Sequence, residues 1–433
     1  MKTIAVKLAK ITSITLVVAI AMCLLGPAPA RADVVTDWNL TAVTASLNSN
    51  VGGGGFIILA YVHAAIYDAV NAIDGRHTVY AVRPSLLNPA ASQEAAAASA
   101  AYNLLKIVLP TQQSLLDASY TTSLSGIPDG QAKNDGIAIG NEVAQGILAL
   151  RANDGLGAVV PYTFGTGPGV YQATPPAFGL PVNRDWPFIR PFTILSSSQF
   201  RADGPPALDK KTWARDFNEV KSLGAANSTS RTPEQTQVGR FHTENPLIFW
   251  TRNLRDFAST RTLSLADNAR LFARLTLAIV DASIAVFESK YHFSFWRPIT
   301  AIAAADIDDN PLTDPEPAWT PLAVTPPHPE YPAAHGVVSG VVAQTLRSFF
   351  RTKKLTLQFT STVPNSGSPH IFTNTDQLPE EIIRARIYGG MHFRTSCEDG
   401  VKMGKEIARW IANNYFRPVH GSSESNQEEG GDE

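Results

Sequence analysis

The chain has 433 residues, of which 44% are apolar and only 17% are charged, so it can bury a large hydrophobic core. This composition excludes an intrinsically disordered chain, and its 30 prolines and 30 glycines follow no fibrous repeat. Thirty-six basic residues against 38 acidic ones give a formal net charge of −2, and no basic stripe stands out. The charge pattern therefore predicts no binding to nucleic acid.

The first 32 residues have the pattern of a secretory signal peptide. Lys2, Lys7 and Lys10 precede an apolar run over 11–25, and small residues at 30 and 32 form an A-x-A type of cleavage site. The run is shorter than the ~20 apolar residues that a membrane-spanning helix needs. We therefore expect an exported protein, periplasmic or secreted, whose mature form has no membrane span.

Removal of residues 1–32 would also change the charge and cysteine content. It would take away four cations and no acid, which leaves 32 basic against 38 acidic residues and a formal charge of −6. Cys397 would be the single remaining cysteine, so no internal disulfide is expected. Packing must then stabilise the fold.

The rest of the sequence predicts helices joined by irregular segments rich in proline and glycine. Apolar residues recur at helical spacing, and prolines or capping residues mark the ends. Segment 263–287 is apolar on all sides, which predicts a position at the centre of a bundle. Segment 355–359 can form a short hairpin strand. The predicted helices are 56–73, 88–109, 131–151, 206–223, one that begins at 232–234, 263–287, 336–350, 379–391 and 400–415.

These patterns predict an all-α protein in four parts. They are the signal peptide (1–32), an N-terminal helical region (33–255), a C-terminal helical bundle (256–418) and a disordered polar tail (419–433). Between 155 and 202 the helical periodicity is lost, and glycine, proline and aromatic residues are dense. Such a loop is typical of one that packs over the mouth of a site.

Two clusters of basic residues lie in the C-terminal part. Lys290 and Arg297 stand seven residues apart at the end of the apolar helix, where two cations are costly unless an anion meets them. His335 follows the proline-rich segment 326–332 at the start of a predicted helix, where backbone N–H groups attract negative charge. Both clusters are candidates for binding an anion.

A third cluster contains Arg386 and His392. Gly389 and Gly390 between them are expected to end or bend the helix and to turn His392 towards the arginine. Each cluster alone also has a structural explanation, because cations at helix ends neutralise carbonyl groups and single histidines are commonly hydrogen-bonded core residues. Their order and combination favour a function.

In combination, the three clusters resemble the signature of the vanadium-dependent haloperoxidase and type 2 phosphatidic acid phosphatase superfamily. The superfamily pattern is K-x6-R-P, then P-S-G-H, then S-R-x5-H. The corresponding residues are Lys290 with Arg297-Pro298, Pro332-Ala333-Ala334-His335, and Ala385-Arg386 with His392. Segments 61–73, 295–302 and 388–393 resemble the bacterial haloperoxidase-like branch. The resemblance implies a helical bundle of the haloperoxidase and acid phosphatase type, with long irregular loops.

The resemblance also implies the chemistry of the site. It implies vanadate as a cofactor, or phosphate as part of a substrate. His392 corresponds to the catalytic histidine that ligates vanadium or attacks phosphorus, and His335 corresponds to the catalytic acid/base histidine. The residues that correspond to those holding the oxygens of the anion are Lys290, Arg297, Arg386 and Ala334.

The chain departs from the superfamily pattern around these residues. Ala333 stands where a serine hydroxyl contacts the anion, and Ala334 replaces a glycine. Loss of one such hydrogen bond would cost on the order of 1.5–3 kcal/mol. Relatives carry an acid where this chain has Ser396, while Asp399 is interpreted as a helix cap. Residues expected to line the pocket are His328, which favours bromide as the halide, Phe287 and Trp296.

Three functions are compatible with this sequence. The first is a haloperoxidase that uses peroxide, halide and an organic acceptor. The second is a soluble acid phosphatase that acts on phosphomonoesters through a phosphohistidine at His392. The third is an oxyanion-binding protein with weak or no catalysis, which the alanines at 333 and 334 favour. The fold that the resemblance implies is compatible with a homodimer.

Overall fold

The structure is a computed structural model that describes residues 33–419. The predicted signal peptide and residues 420–433 of the predicted tail lie outside the described residues. The described chain has thirteen α-helices: α1 Val34–Asn48, α2 Gly54–Asp74, α3 Gln93–Val108, α4 Gln113–Ser125, α5 Gln131–Arg151, α6 Lys211–Gly224, α7 Pro233–Phe241, α8 Pro246–Ser259, α9 Leu265–Phe293, α10 Pro298–Ala303, α11 Ala334–Phe350, α12 Gln377–Tyr388 and α13 Arg394–Asn414. Strands β1 Leu357–Phe359 and β2 His370–Phe372 form one antiparallel hairpin.

The predicted all-α fold is confirmed, and most predicted helices are present with shifted ends. Helix 131–151 agrees with α5 at both ends, and the predicted strand at 355–359 contains β1. Helix α3 begins five residues later than predicted, because Ser92 rather than Asn88 caps it, its Oγ accepting from the backbone N–H of Ala95. The sequence patterns do not predict α1, α4, α8 or α10. Within the predicted loop 155–202, the described chain has only a short 3-10 turn, Trp186–Phe188.

Helix α9 lies at the centre of the bundle, as its apolarity predicts. One hydrophobic cluster joins it to helices from both predicted halves of the chain, through residues such as Ile66, Leu104, Leu277, Val341 and Ile407. This cluster contains residues from both sides of 255/256, and the predicted boundary between the N-terminal region and the C-terminal bundle stays a prediction. Helix α2 is long and apolar enough to cross a membrane, and 89% of its most apolar window is buried within the protein, as in a core helix.

Helices α11 and α13 pack with their backbones in direct contact. A methyl group added at Gly336 would lie 2.6 Å from the carbonyl oxygen of Cys397, and one added at Gly340 would lie 2.4 Å from that of Val401. Only glycine permits this approach. Because the contacts advance in the same direction along both helices, α11 and α13 are parallel and their N-termini lie side by side. This arrangement brings the second and third basic clusters together.

Acid sensitivity is expected from His63, which is buried in α2 with its Nε2 2.8 Å from Asn39 Nδ2. Burial, with the charge of Arg255, lowers the pKa of His63 to about 3. The unfolded chain therefore binds a proton that the folded chain does not, and stability is lost as the pH falls below about 6.5. Between pH 6 and 4, wild type should lose about 1.4 kcal/mol per pH unit more than His63→Gln in urea unfolding. Parallel pH profiles would contradict this expectation.

Candidate oxyanion site

The first two basic clusters meet at the proline-rich segment before α11. Lys290 Nζ donates hydrogen bonds to the carbonyl oxygens of Pro329 and Glu330, at 2.9 and 2.8 Å. Arg297 Nε donates to the carbonyl oxygen of His328 at 2.8 Å. Both cations are fully buried. The chain bends between α9 and α10, so the two side chains approach the same segment as the sequence predicts.

The third cluster joins them through the turn between α12 and α13. Helix α12 ends at Tyr388, before the glycine pair, and Gly390 takes the left-handed conformation with φ +72°. His392 follows in the turn, with its Nε2 3.1 Å from Arg297 Nη1. Arg297 Nη1 also donates to the carbonyl oxygen of Met391 at 2.9 Å. The predicted effect of the glycine pair on the helix is confirmed.

A buried carboxylate fixes the orientation of His392. His392 Nδ1 lies 2.8 Å from Glu330 Oε1, which also accepts from the backbone N–H of Phe393 at 3.0 Å. Because an arginine can only donate, Nε2 accepts from Arg297, and the ring proton lies on Nδ1. Burial raises the pKa of Glu330 to about 7, although Lys290 and Arg297 oppose the shift. The hydrogen bond between His392 and Glu330 therefore holds the Nε2 lone pair of His392 towards Arg297.

The sequence patterns do not predict a role for Glu330, although one signal points to it. Glu330 is the only acidic residue within the three clusters 290–298, 326–336 and 386–394. Its partner His392 lies 62 residues away in sequence, so spacing alone does not connect them. The acid expected nearer to His392 is replaced by Ser396, whose side chain helps to lower the pKa of Glu330.

Arg386 completes the set of buried cations. Its Nη1 donates to the carbonyl oxygen of His242 at 3.2 Å, and its Nη2 contacts Met391 Sδ at 2.8 Å. Its Nε is buried and has no hydrogen-bond partner among residues 33–419. Burial lowers the pKa of Arg386 to about 9 and that of Arg297 to about 10, and it places the pKa of Lys290 well below its ordinary value.

His335 lies in the first turn of α11, as predicted, and is only partly buried. Helix α11 begins at Ala334, and Ala333 at the N-cap has no hydroxyl with which to cap the first turn. Burial lowers the pKa of His335 well below its ordinary value, and the charge of Arg386 lowers it further. The ring is therefore neutral near neutral pH and can accept a proton.

The structure places the three predicted lining residues in two environments. The rings of Phe287 and His328 meet edge to face at 5.2 Å, and His328 Nδ1 lies 2.9 Å from Arg297 Nη2. Trp296 stacks on Trp213 at 6.0 Å within a second hydrophobic cluster. The roles of all three in lining a pocket stay predictions.

One interpretation of the sequence is wrong. Asp399 is not a helix cap, because it lies inside α13 and its Oδ2 accepts a hydrogen bond from the Tyr331 hydroxyl at 2.7 Å. This contact joins α13 to the proline-rich segment.

The donor set fits a multiply charged oxyanion. The charges of three buried cations, Lys290, Arg297 and Arg386, act on His392, whose hydrogen-bond partner Glu330 is a carboxylate. Arg386 Nε is a buried donor without an acceptor in the described part of the chain. Uncompensated buried cations are costly, and charge-assisted hydrogen bonds to anionic oxygens would offset that cost. The residues therefore suit vanadate or phosphate.

A second polar cluster, which the sequence patterns do not predict, lies next to this site. Glu381 Oε1 lies 2.8 Å from His242 Nε2 and 2.6 Å from His370 Nδ1. The three ligating atoms lie within 4.8 Å of one another and could hold a metal ion. However, the distances from Glu381 Oε1 to the two histidine nitrogens, 2.8 and 2.6 Å, are hydrogen-bond lengths. In a tetrahedral zinc site, two ligand atoms lie about 3.3 Å apart. We therefore describe this cluster as a hydrogen-bonded triad.

Comparisons with known proteins agree with the fold, and a family model covers the part of the chain that contains the three clusters. A family model described as the VCPO second helical-bundle domain matches residues 270–421. Vanadium chloroperoxidase of Curvularia inaequalis is 27% identical over 187 residues, which are 36% of this chain and 30% of that protein. The match thus spans less than a third of this curated relative.

Two solved structures resemble the chain over most of its length. The first bacterial vanadium-dependent iodoperoxidase has a TM-score of 0.75 and 25% identity, and the match covers 89% of this chain and 97% of the other. A holo-type bacterial vanadium-dependent chloroperoxidase has a TM-score of 0.64 and 17% identity, with coverage of 83% and 90%. The second likeness shows the fold alone.

Proposed function

We propose that this chain is a member of the vanadium-dependent haloperoxidase superfamily, that it binds vanadate and that it oxidises halide with hydrogen peroxide. One observation carries the proposal: His392, oriented by Glu330, is hydrogen-bonded to the buried Arg297 and lies within reach of the charges of the buried Lys290 and Arg386. Bound vanadate would act as a Lewis acid that polarises peroxide without changing its own oxidation state. A bacterial iodoperoxidase is among the similar structures.

Some residues of the chain would bind the anion, and one would transfer a proton. Lys290, Arg297 and Arg386 would bind the oxygens, together with the backbone N–H of Ala334. His392 Nε2 would hold vanadium with the lone pair that accepts from Arg297 in the anion-free structure, and Arg297 would then donate to an oxygen instead. The neutral imidazole of His335 would accept a proton from hydrogen peroxide and return it to the departing oxygen. One halide, one peroxide and one proton give hypohalous acid and water.

We propose bromide as the preferred halide. His328 and Phe287 lie together beside Arg297, and the resemblance associates histidine at position 328 with bromide. Steady-state rates with chloride, bromide and iodide test the preference. We expect bromide oxidation to be faster than chloride oxidation, and the reverse order would contradict the assignment.

One experiment separates the three functions. The purified protein is incubated with orthovanadate, peroxide and bromide, and in parallel with a chromogenic phosphomonoester. Bromination that depends on vanadate supports the proposal. Phosphate release that vanadate inhibits would identify a phosphatase instead, and anion binding without either activity would identify a binding protein.

Restoring the missing serine should strengthen anion binding. Ala333→Ser adds a hydroxyl at the N-cap of α11, where it can contact the anion or cap the first turn. We expect vanadate affinity to rise about tenfold in calorimetric titration. Ala385→Ser is the matched control, since it restores the other serine of the superfamily pattern, at a position that is less central to the site. Equal effects of the two substitutions would contradict the interpretation of Ala333.

We also propose that the protein is exported, because residues 1–32 have the composition of a signal peptide. Fusion of these residues to a reporter that is active only outside the cytoplasm tests this. We expect the fused reporter to be active, and we expect its activity to disappear when Lys2, Lys7 and Lys10 are replaced by acids. A reporter that stays in the cytoplasm would contradict the proposal.

A further inference from the structure

Of the two ring nitrogens of His242, Nε2 has a hydrogen-bond partner and Nδ1 has none among the described residues. It caps the C-terminal end of α7 and is buried, and its Nε2 lies 2.8 Å from Glu381 Oε1. Burial alone would raise the pKa of Glu381, but hydrogen bonds from His242 and His370 lower it to about 2. Glu381 is therefore an ionised acceptor, and the neutral His242 ring carries its proton on Nε2.

The Nδ1 atom of His242 is consequently a buried acceptor. Within the described part of the chain it has no hydrogen-bond partner. A buried polar atom without a partner is uncommon in native proteins and indicates an unrecognised ligand or water. The ring packs against Phe241 and Phe249 of the hydrophobic core, and the backbone of the same residue reaches the oxyanion site.

Two observations place this ring at the oxyanion site. Arg386 Nη1 donates to the carbonyl oxygen of His242 at 3.2 Å. His242 and Arg386 are both among the groups that would disfavour a proton on His335, so the two imidazole rings are close enough to influence each other. His242 thus adjoins both Arg386 and His335.

We propose that His242 Nδ1 accepts a hydrogen bond from the hydroxyl of a bound, protonated oxyanion. The inference rests on the proposed function, because it requires an oxyanion among Lys290, Arg297 and Arg386. Vanadate and phosphate both carry hydroxyl groups near neutral pH. The contact would replace one that the superfamily serine supplies and that Ala333 cannot make.

A metal ion held by the triad is the competing interpretation. Metal coordination at His242 Nε2 would move the ring proton to Nδ1, which would become a buried donor without an acceptor in the described structure. Metal-bound histidines almost always donate their other N–H to a partner. Dialysis against a chelator should therefore leave phosphate affinity unchanged, and a loss of affinity restored by zinc would overturn the proposal.

Two variants separate the ring nitrogens of His242. His242→Gln places an amide near the former Nε2 and keeps the contact with Glu381, whereas His242→Asn places an amide near the former Nδ1. Inorganic phosphate is titrated calorimetrically against each variant, with sulfate as the matched anion that carries no proton. We expect His242→Gln to lower phosphate affinity about tenfold and His242→Asn to lower it less. Sulfate affinity should stay within about twofold in both.

Equal losses for phosphate and sulfate would overturn the proposal, because they would mean that His242 acts only by positioning Arg386. Addition of Ala333→Ser to His242→Gln should restore phosphate affinity, and failure to do so would also count against it. The remote buried histidine variant His63→Gln is the control. Wild type that binds neither anion would refute the proposed function itself, whereas binding unaffected by His242→Gln would refute only this inference.

A measurement on the unaltered protein covers the case in which a variant does not fold. In histidine labelled with nitrogen-15, the Nδ1 resonance of His242 should shift when phosphate is added, because the atom gains a hydrogen bond. Sulfate should cause no such shift. The same shift with both anions, or none with phosphate, would contradict the proposal.

Discussion

His392→Ala is expected to abolish vanadate binding and vanadate-dependent bromination. The loss in vanadate affinity should exceed about 100-fold, because even the partners that only orient metal ligands are worth 10- to 100-fold. Phosphate bound without a covalent bond should be affected much less, since Lys290, Arg297 and Arg386 are unchanged. Calorimetric titration with vanadate and with phosphate measures both effects.

The comparison between the loss of vanadate affinity and the loss of phosphate affinity tests the role of His392. His63→Gln, which alters a buried histidine of α2, serves as the control and should bind both anions like wild type. Vanadate affinity that survives in His392→Ala would show that another group ligates vanadium. Equal loss of both anions would show that His392 acts by holding Arg297, to which it is hydrogen-bonded.

Glu330→Gln is expected to destabilise the folded protein. Glu330 is a buried carboxylate beside the buried cations Lys290 and Arg297, and removal of one partner from a buried charged network costs about 3–5 kcal/mol. Urea unfolding without added anion measures the loss. Phosphate or vanadate should recover part of the stability, because a bound anion supplies the missing negative charge.

A rescue variant tests whether the charge itself matters. Ser396 lies close enough to influence the pKa of Glu330, and it stands where relatives carry an acid. Addition of Ser396→Asp to Glu330→Gln should therefore regain stability. Asp399→Asn, which removes a charge that faces Tyr331, is the control and should cost much less. A loss below about 1 kcal/mol in Glu330→Gln would be typical of a solvent-exposed pair and would contradict the account.

The sequence predicts those parts of the site that depend on local chain geometry. The start of α11 at Ala334, one residue before His335, follows from the prolines before it, and the end of α12 follows from the glycine pair. The approach of Lys290 to Arg297 follows from their spacing and from Pro298. In each case, the residues that determine the geometry lie within a few positions of the residues that bind.

The sequence does not predict contacts that the packing of distant helices creates. Glu330 meets His392 because α11 and α13 are parallel, which depends on glycines that have no signal in a hydrophobic pattern. His242 meets Arg386 from 144 residues away, outside every motif. Helix α3 begins later than predicted because Ser92 caps it, whereas Asn88 forms a local turn by accepting from the backbone N–H of Ala90.

The most direct test of the account is a crystal structure of the protein soaked with orthovanadate, with vanadium located by its anomalous scattering. We predict one vanadium peak at His392 Nε2, among the side chains of Lys290, Arg297 and Arg386, with His335 beside it. A peak bonded to another residue, or no peak at a vanadate concentration that supports bromination, would contradict the claim that these groups form one oxyanion site.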